Sequence, residues 1–121
     1  MKKQILLSLF ALLINTVSFA QWHPVGDKIK TDWAKQINPN NVLPEYPRPI
    51  MERDEWKNLN GLWNYAITEV GDTEPILYDG QILVPFPIES SLSGVGKMIG
   101  SKKELWYQKN FDVSSVWKGK K

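Results

Sequence analysis

Few side chains in this 121-residue sequence are able to do acid–base or nucleophilic chemistry, and their spacing limits what they can do. Glu52, Asp54 and Glu55 cluster around Arg53, while Asp79, Glu89 and Glu104 stand apart. Two carboxyl groups facing each other ~5–5.5 Å apart, one with a raised pKa, would hydrolyse a glycoside with retention. The Glu52-Arg53-Asp54-Glu55 run reads instead as a solvated charged face, because such residues are rarely buried without partners. Asp79 precedes Gly80, where a side-chain oxygen stabilises a turn. Glu89 follows Phe86-Pro87-Ile88 at a strand exit and is expected to bond loop N–H groups. His23, the one histidine, lies in a lead segment expected to be mobile, which gives a general base no ordered partner. Gly94-Val95-Gly96-Lys97-Met98-Ile99-Gly100 lacks both GxGxxG and GxxxxGK[ST], so it reads as a flexible loop and not a phosphate cradle. No catalytic residue is assigned, no binding residue is singled out, and no metal or cofactor is expected.

Composition narrows the field further. The absence of cysteine excludes a disulfide framework, a thiolate metal site and a cysteine nucleophile, and one histidine excludes a multi-histidine zinc site. Fifteen basic and 13 acidic residues give a formal charge of +2, but Lys2 and Lys3 belong to a leader. Without them the chain is balanced, so no nucleic-acid partner is expected. Hydrophobic residues at 42% are too many for a disordered tail.

The leader is Met1-Lys2-Lys3, an apolar run from Ile5 to Leu13, and small residues at Ser18 and Ala20. This pattern predicts a secretory signal over residues 1–20, cleaved between Ala20 and Gln21. The run is short and interrupted for a spanning helix, which needs ~20 apolar residues. The mature chain is therefore expected in the periplasm or outside the cell, with no membrane partner after cleavage.

Residues 21–47 read as an extended lead-in. With Pro49 included, there are four prolines in the eleven positions 39–49, each removing a backbone donor and favouring extended geometry before it. Trp22, Trp33 and Tyr46 are expected to pin this stretch to a surface, and a turn or short helix is expected over Met51–Leu59. After the Asn60-Gly61 turn the period becomes two. Trp63, Tyr65 and Ile67 fall on one face of a strand, with Asn64 and Ala66 opposite. Pro75–Tyr78 reads as a second short strand, and Gln81–Phe86 as a third with proline at its exit. Glu104–Val113 reads as a fourth, with Leu105, Tyr107, Phe111 and Val113 on one face. Lys109 breaks that face, and Trp106 breaks the polar one, where it is expected to meet a neighbouring domain. Short alternating strands with Gly, Pro and Asp turns predict an all-β antiparallel sandwich. Four strands fall short of the seven or eight that a sandwich needs, so the chain reads as stopping before its fold closes. Of the six tryptophans, which invite a sugar-stacking reading, Trp56 and Trp63 are expected to serve packing.

Residues 46–117 resemble the N-terminal sugar-binding domain of glycoside hydrolase family two, the family of β-galactosidases, β-glucuronidases and β-mannosidases. Three words carry the resemblance: Trp56-Lys57-Asn58-Leu59-Asn60-Gly61-Leu62-Trp63, Val84-Pro85-Phe86-Pro87-Ile88-Glu89-Ser90 and Glu104-Leu105-Trp106-Tyr107-Gln108-Lys109-Asn110-Phe111. The lead-in Asn41–Pro49 is similar to that of secreted bacterial members. The resemblance implies an incomplete jelly-roll (galactose-binding-like) sandwich over residues 48–121. It further implies downstream domains, including a barrel that holds both catalytic glutamates, and none of those residues has a counterpart here. The expected function is that of an N-terminal fragment of an exported enzyme hydrolysing terminal β-linked sugars, inactive alone. Its expected partners are carbohydrate, through the parent enzyme, and the downstream domains. The alternative is a free-standing secreted carbohydrate-binding or interaction module without catalysis.

Overall fold

The computed structural model describes residues 21–119, so the leader and the bond after Ala20 lie outside the described residues. Three strands form one antiparallel sheet: β1 (Gly61–Glu69), β2 (Gly80–Val84) and β3 (Lys103–Gln108), in the spatial order β2-β1-β3. The fold is thus β-rich and antiparallel, as the period-two pattern predicts. The long β1 serves both neighbours, pairing Gly61–Tyr65 with β2 and Asn64–Glu69 with β3.

Register puts the large residues together. Trp63 faces Ile82, Tyr65 faces Tyr107, and Ile67 faces Leu105. Because side chains alternate across a strand, these six share one side of the sheet. Ile88 joins Tyr65 and Ile82 to form the buried core, and Val95 and Ile99 pack over it. The loop between β2 and β3 therefore supplies the second layer. On the opposite side Ala66 and Leu83 are also buried. There Asn64 Nδ2 donates to Gln108 Oε1 at 2.7 Å, and Trp106 Nε1 donates to Thr68 Oγ1 at 2.9 Å. Such cross-strand and diagonal pairs are the unit by which sheets hold register.

Four expectations are corrected. Pro75–Tyr78 is not a strand: Ile76 and Leu77 are 95% and 84% exposed in a bend, and no neighbour pairs with them. The fourth predicted strand ends at Gln108, where its ladder with β1 stops at the Asn64–Gln108 pair; beyond it Lys109 lays its ammonium over the Trp63 ring, 5.7 Å from the centroid, and Phe111 and Val113 stay exposed. The short helical turn comes early, at Pro49–Met51, and residues 52–60 are irregular. Trp33 pins nothing: it is 72% exposed on a 3₁₀ turn, Asp32–Gln36, whose buried residue is Ala34.

The segment from Ser90 to Ser101 is a loop, as expected, but an anchored one. Ser93 is fully buried, its hydroxyl reaching Ser90 O at 2.7 Å and Ile88 O at 3.2 Å while accepting from Val95 N and Gly96 N. Its glycines make room for the lead-in. A Cβ on Gly94 (φ +81°) would lie 2.8 Å from the Trp22 indole, and one on Gly96 (φ +64°) would lie 2.8 Å from Val25 Cγ2. Val25 N donates to Ser91 O at 3.0 Å, and Ser91 Oγ donates back to Val25 O. The lead holding His23 is consequently docked, not mobile. His23 itself stays exposed, with Nδ1 3.3 Å from the carbonyl of Pro24.

Candidate functional site

The polar residues best placed to organise a site lie where lead-in and sheet meet. Asn58 Nδ2 donates to Leu43 O at 2.9 Å and Val42 O at 3.3 Å, and Asn60 Nδ2 donates to Val42 O at 3.2 Å. Asn58 Oδ1 in turn accepts from Asn60 N at 2.7 Å, locking the pair. These bonds hold a bend in which Leu43 adopts φ +42°, a left-handed conformation unusual for leucine. Val42 is buried beneath them. Sequence reading marks Asn60-Gly61 only as a turn; the two-residue spacing of Asn58 and Asn60 is the signal that it leaves unused.

Against this junction lies an open cleft of about 610 Å³, bounded by Glu45, Tyr46, Trp56, Leu59 and Pro85. The rings of Tyr46 and Trp56 meet edge to face, centroids 5.0 Å apart and planes at 60°. Trp56 remains 39% exposed, so it lines this cleft beside Tyr46 and is not a core residue. Lys57 also lines the cleft, while its ammonium donates to Asp112 O at 2.6 Å and lies 5.8 Å from the Phe111 centroid. Trp63 meets the packing expectation, partly buried against the core with Nε1 donating to Leu59 O at 2.8 Å. A second cavity, about 330 Å³, lies beside Trp22, His23, Leu62 and Gly94.

The acids do not converge. Glu52, Asp54 and Glu55 are exposed, as a solvated face requires. Asp79 stabilises no turn, since Gly80 opens β2; instead its Oδ2 accepts from Ile67 N of β1 at 2.9 Å while its own N–H donates to Tyr65 O at 2.8 Å. This continues the β1–β2 ladder past its last paired residue. Among the described residues no three His, Asp or Glu gather closely enough to hold a metal ion. Glu89 departs from expectation: its backbone carbonyl accepts from Lys28 Nζ, and its carboxylate acts on Tyr107. Loop N–H groups are served instead by Ser90 Oγ, at Leu92 N, and by Ser93 Oγ.

Burial, with the Glu89 charge adding to it, raises the Tyr107 phenol above its ordinary pKa. Because the folded value lies above the unfolded one, the phenol's contribution to stability is whole below about pH 10 and is lost as pH rises through the folded value. Replacing Glu89 by Gln is expected to move the Tyr107 titration part of the way back, leaving the contribution of burial. Tyrosinate absorbance, taken as the difference between the parent and Tyr107→Phe, reads that shift; an unmoved titration would remove Glu89 from the account.

No family model matches this sequence, and no curated protein matches it. Among the described residues no helix is long and apolar enough to cross a membrane.

Proposed function

We propose that residues 48–121 belong to the N-terminal, jelly-roll sugar-binding domain of an exported family-two glycoside hydrolase acting on terminal β-linked sugars. The observation that carries the reading is the order and spacing of the three words across residues 56–111. Each word falls on a distinct part of one connected unit. The first makes the Asn58–Asn60 clamp and opens β1; the second covers the β2 exit, where the Val84–Pro85 peptide is cis, and brings Ile88 to the core; the third runs along β3 and three residues past its end. On this reading the catalytic glutamates belong to a barrel, and the acids here are structural or solvated.

The test is catalytic. Purified protein of this sequence is expected not to hydrolyse chromogenic β-galactosides or β-glucuronides, whereas the product of the same locus read through a downstream barrel hydrolyses one of them. Turnover by these residues alone, abolished by substituting one carboxylate, would overturn the assignment. So would a locus that encodes no barrel.

A further inference from the structure

We propose that the Asn60-Gly61 pair is a modification site at which the chain deamidates itself, and that the change unlocks the lead-in from the sheet. This goes beyond the glycosidase reading and rests on none of it. Asparagine amides are thermolabile, and their loss needs the next residue's backbone nitrogen to reach the side-chain carbonyl carbon. A glycine there presents no side chain to obstruct the approach. Of the eight asparagines in the sequence, Asn60 is the one followed by glycine. Gly61 N gives up its proton to solvent base and bonds to Asn60 Cγ. The Cγ–Nδ2 bond breaks, and the amide leaves as ammonia with a proton from water. Water then opens the five-membered imide. Attack at Cγ leaves aspartate, whereas attack at the backbone carbonyl carbon leaves isoaspartate, with the main chain running through the side chain. Water is consumed and ammonia released, with no oxidant or reductant.

The structure places a group that favours the first step. Lys109 Nζ lies 3.4 Å from Asn60 O, the oxygen of the peptide whose nitrogen must attack, and a Cβ on Gly61 would lie 3.5 Å from the same ammonium. A positive charge there stabilises the negative charge that spreads onto that oxygen as the Gly61 nitrogen loses its proton. Lys109 Nζ is also 3.4 Å from Leu62 O and 5.7 Å from the Trp63 centroid, contacts that hold it at this end of β1. Asn60 borders the open cleft, through which water arrives and ammonia leaves. The consequence follows from the clamp. Asn60 Nδ2 donates to Val42 O at 3.2 Å and lies 3.5 Å from Leu43 O. A carboxylate has no N–H to give, and it turns acceptors toward two carbonyl oxygens. Asn58 alone is then left to hold the bend in which Leu43 sits at φ +42°.

Peptide mass spectrometry with an isoaspartate-specific methyl label tests the site on protein of this sequence, held folded in mildly alkaline buffer and digested at intervals. Asn60 is expected to gain the mass of amide hydrolysis ahead of the other asparagines, with isoaspartate among the products. Lys109→Gln is expected to slow this about threefold to tenfold, and Lys109→Arg to keep most of the rate. In concentrated urea the parent and Lys109→Gln are expected to react alike, because the ammonium no longer sits on the peptide. A purely structural lysine predicts the reverse, since its loss would loosen the junction and speed the reaction. Circular dichroism checks folding; if Lys109→Gln does not fold, Lys109→Met, which keeps an apolar stem over Trp63 without the charge, takes its place. Asn60→Asp is expected to speed hydrogen exchange about tenfold at the Asn41 amide, bonded to Asn38 O in the lead-in, and to leave the Val70 amide, bonded to Lys102 O, unchanged. Asn60 reacting no faster than the other asparagines overturns the proposal, as does a rate in folded protein that loss of the Lys109 charge leaves alone or raises. Equal change at the Asn41 and Val70 amides overturns the unlocking.

Discussion

Ile82→Ala is expected to lower the stability of the fold by about 3 kcal/mol, within the ~2–5 kcal/mol range for removing a large aliphatic side chain from a core. Ile82 is fully buried, faces Trp63 across the β1–β2 ladder and packs on Tyr65 and Ile88. The loss has two parts: the removed methyl and methylene groups no longer gain from burial, and the surrounding side chains close only partly over the hole. Trp63, Tyr65 and Ile88 are held by strand register and by the ordered loop, so collapse is limited and the loss falls well inside the range. Ile82→Val removes one methylene and should cost about 1 kcal/mol. Since a whole domain is stable by only ~5–15 kcal/mol, the alanine variant should melt far below the parent. Urea unfolding monitored by tryptophan fluorescence measures both, the midpoint falling with little change in slope. A loss under about 1 kcal/mol for the alanine variant would show that this side of the sheet is not the principal core.

Ser93→Ala is expected to have a comparable effect, about 3 kcal/mol, for a different reason. The hydroxyl touches four backbone groups, but they are not equally dependent on it. Ser90 O keeps the N–H of Ser93 at 3.2 Å, and Ile88 O keeps that of Lys97 at 3.1 Å. Val95 N and Gly96 N lose their acceptor, Ser93 Oγ. Two donors left unsatisfied in this half-buried stretch each fall in the lower part of the ~1–3 kcal/mol range, and the buried hydroxyl's own hydrogen bond is lost with them. The damage should also spread in a defined direction. Trp22 and Val25 rest on Gly94 and Gly96, so a loosened loop releases the lead-in. Hydrogen exchange at the Val25 amide, which is bonded to Ser91 O, is therefore expected to accelerate more than exchange in β1. Equal acceleration in both would mean that the loop and the sheet open together.

The three strands that form are legible in the chain because their alternation is local. Trp63, Tyr65 and Ile67, then Ile82, then Leu105 and Tyr107 announce one apolar side whatever the rest of the chain does. Where sequence reading fails, the deciding contact lies far away. Pro75-Ile76-Leu77-Tyr78 has strand composition but no partner strand beside it, and composition cannot supply one. Gly94 and Gly96 look like the mark of a flexible loop, yet they are small because Trp22 and Val25, about 70 residues earlier, must approach closely. Lys109 looks like an error in an apolar face until Trp63 is seen beneath it. The Tyr46–Trp56 corner was equally hidden, since nothing in either residue's neighbourhood states that their rings meet. The acids of the 52–55 run behaved as local chemistry suggests, being exposed, whereas Asp79 bonds across to Ile67 of β1 and not within a turn. Glu89 departs too, because its influence on Tyr107 crosses from the loop to β3.

The docking of the lead-in also sets an order of events. The hydrogen bond from Ser91 to Val25 joins residues 66 positions apart. A chain made from its N-terminus at ~5–20 residues per second leaves Trp22 and Val25 without their partners for roughly 3–13 s. Hairpin pairing of β1 with β2 takes only microseconds once both have emerged. The β1–β2 hairpin is thus paired before the lead-in settles, whereas β3 is made after the lead-in's partners. During that interval a tryptophan and a valine stay uncovered, and the segment made first waits for a loop made about 70 residues later.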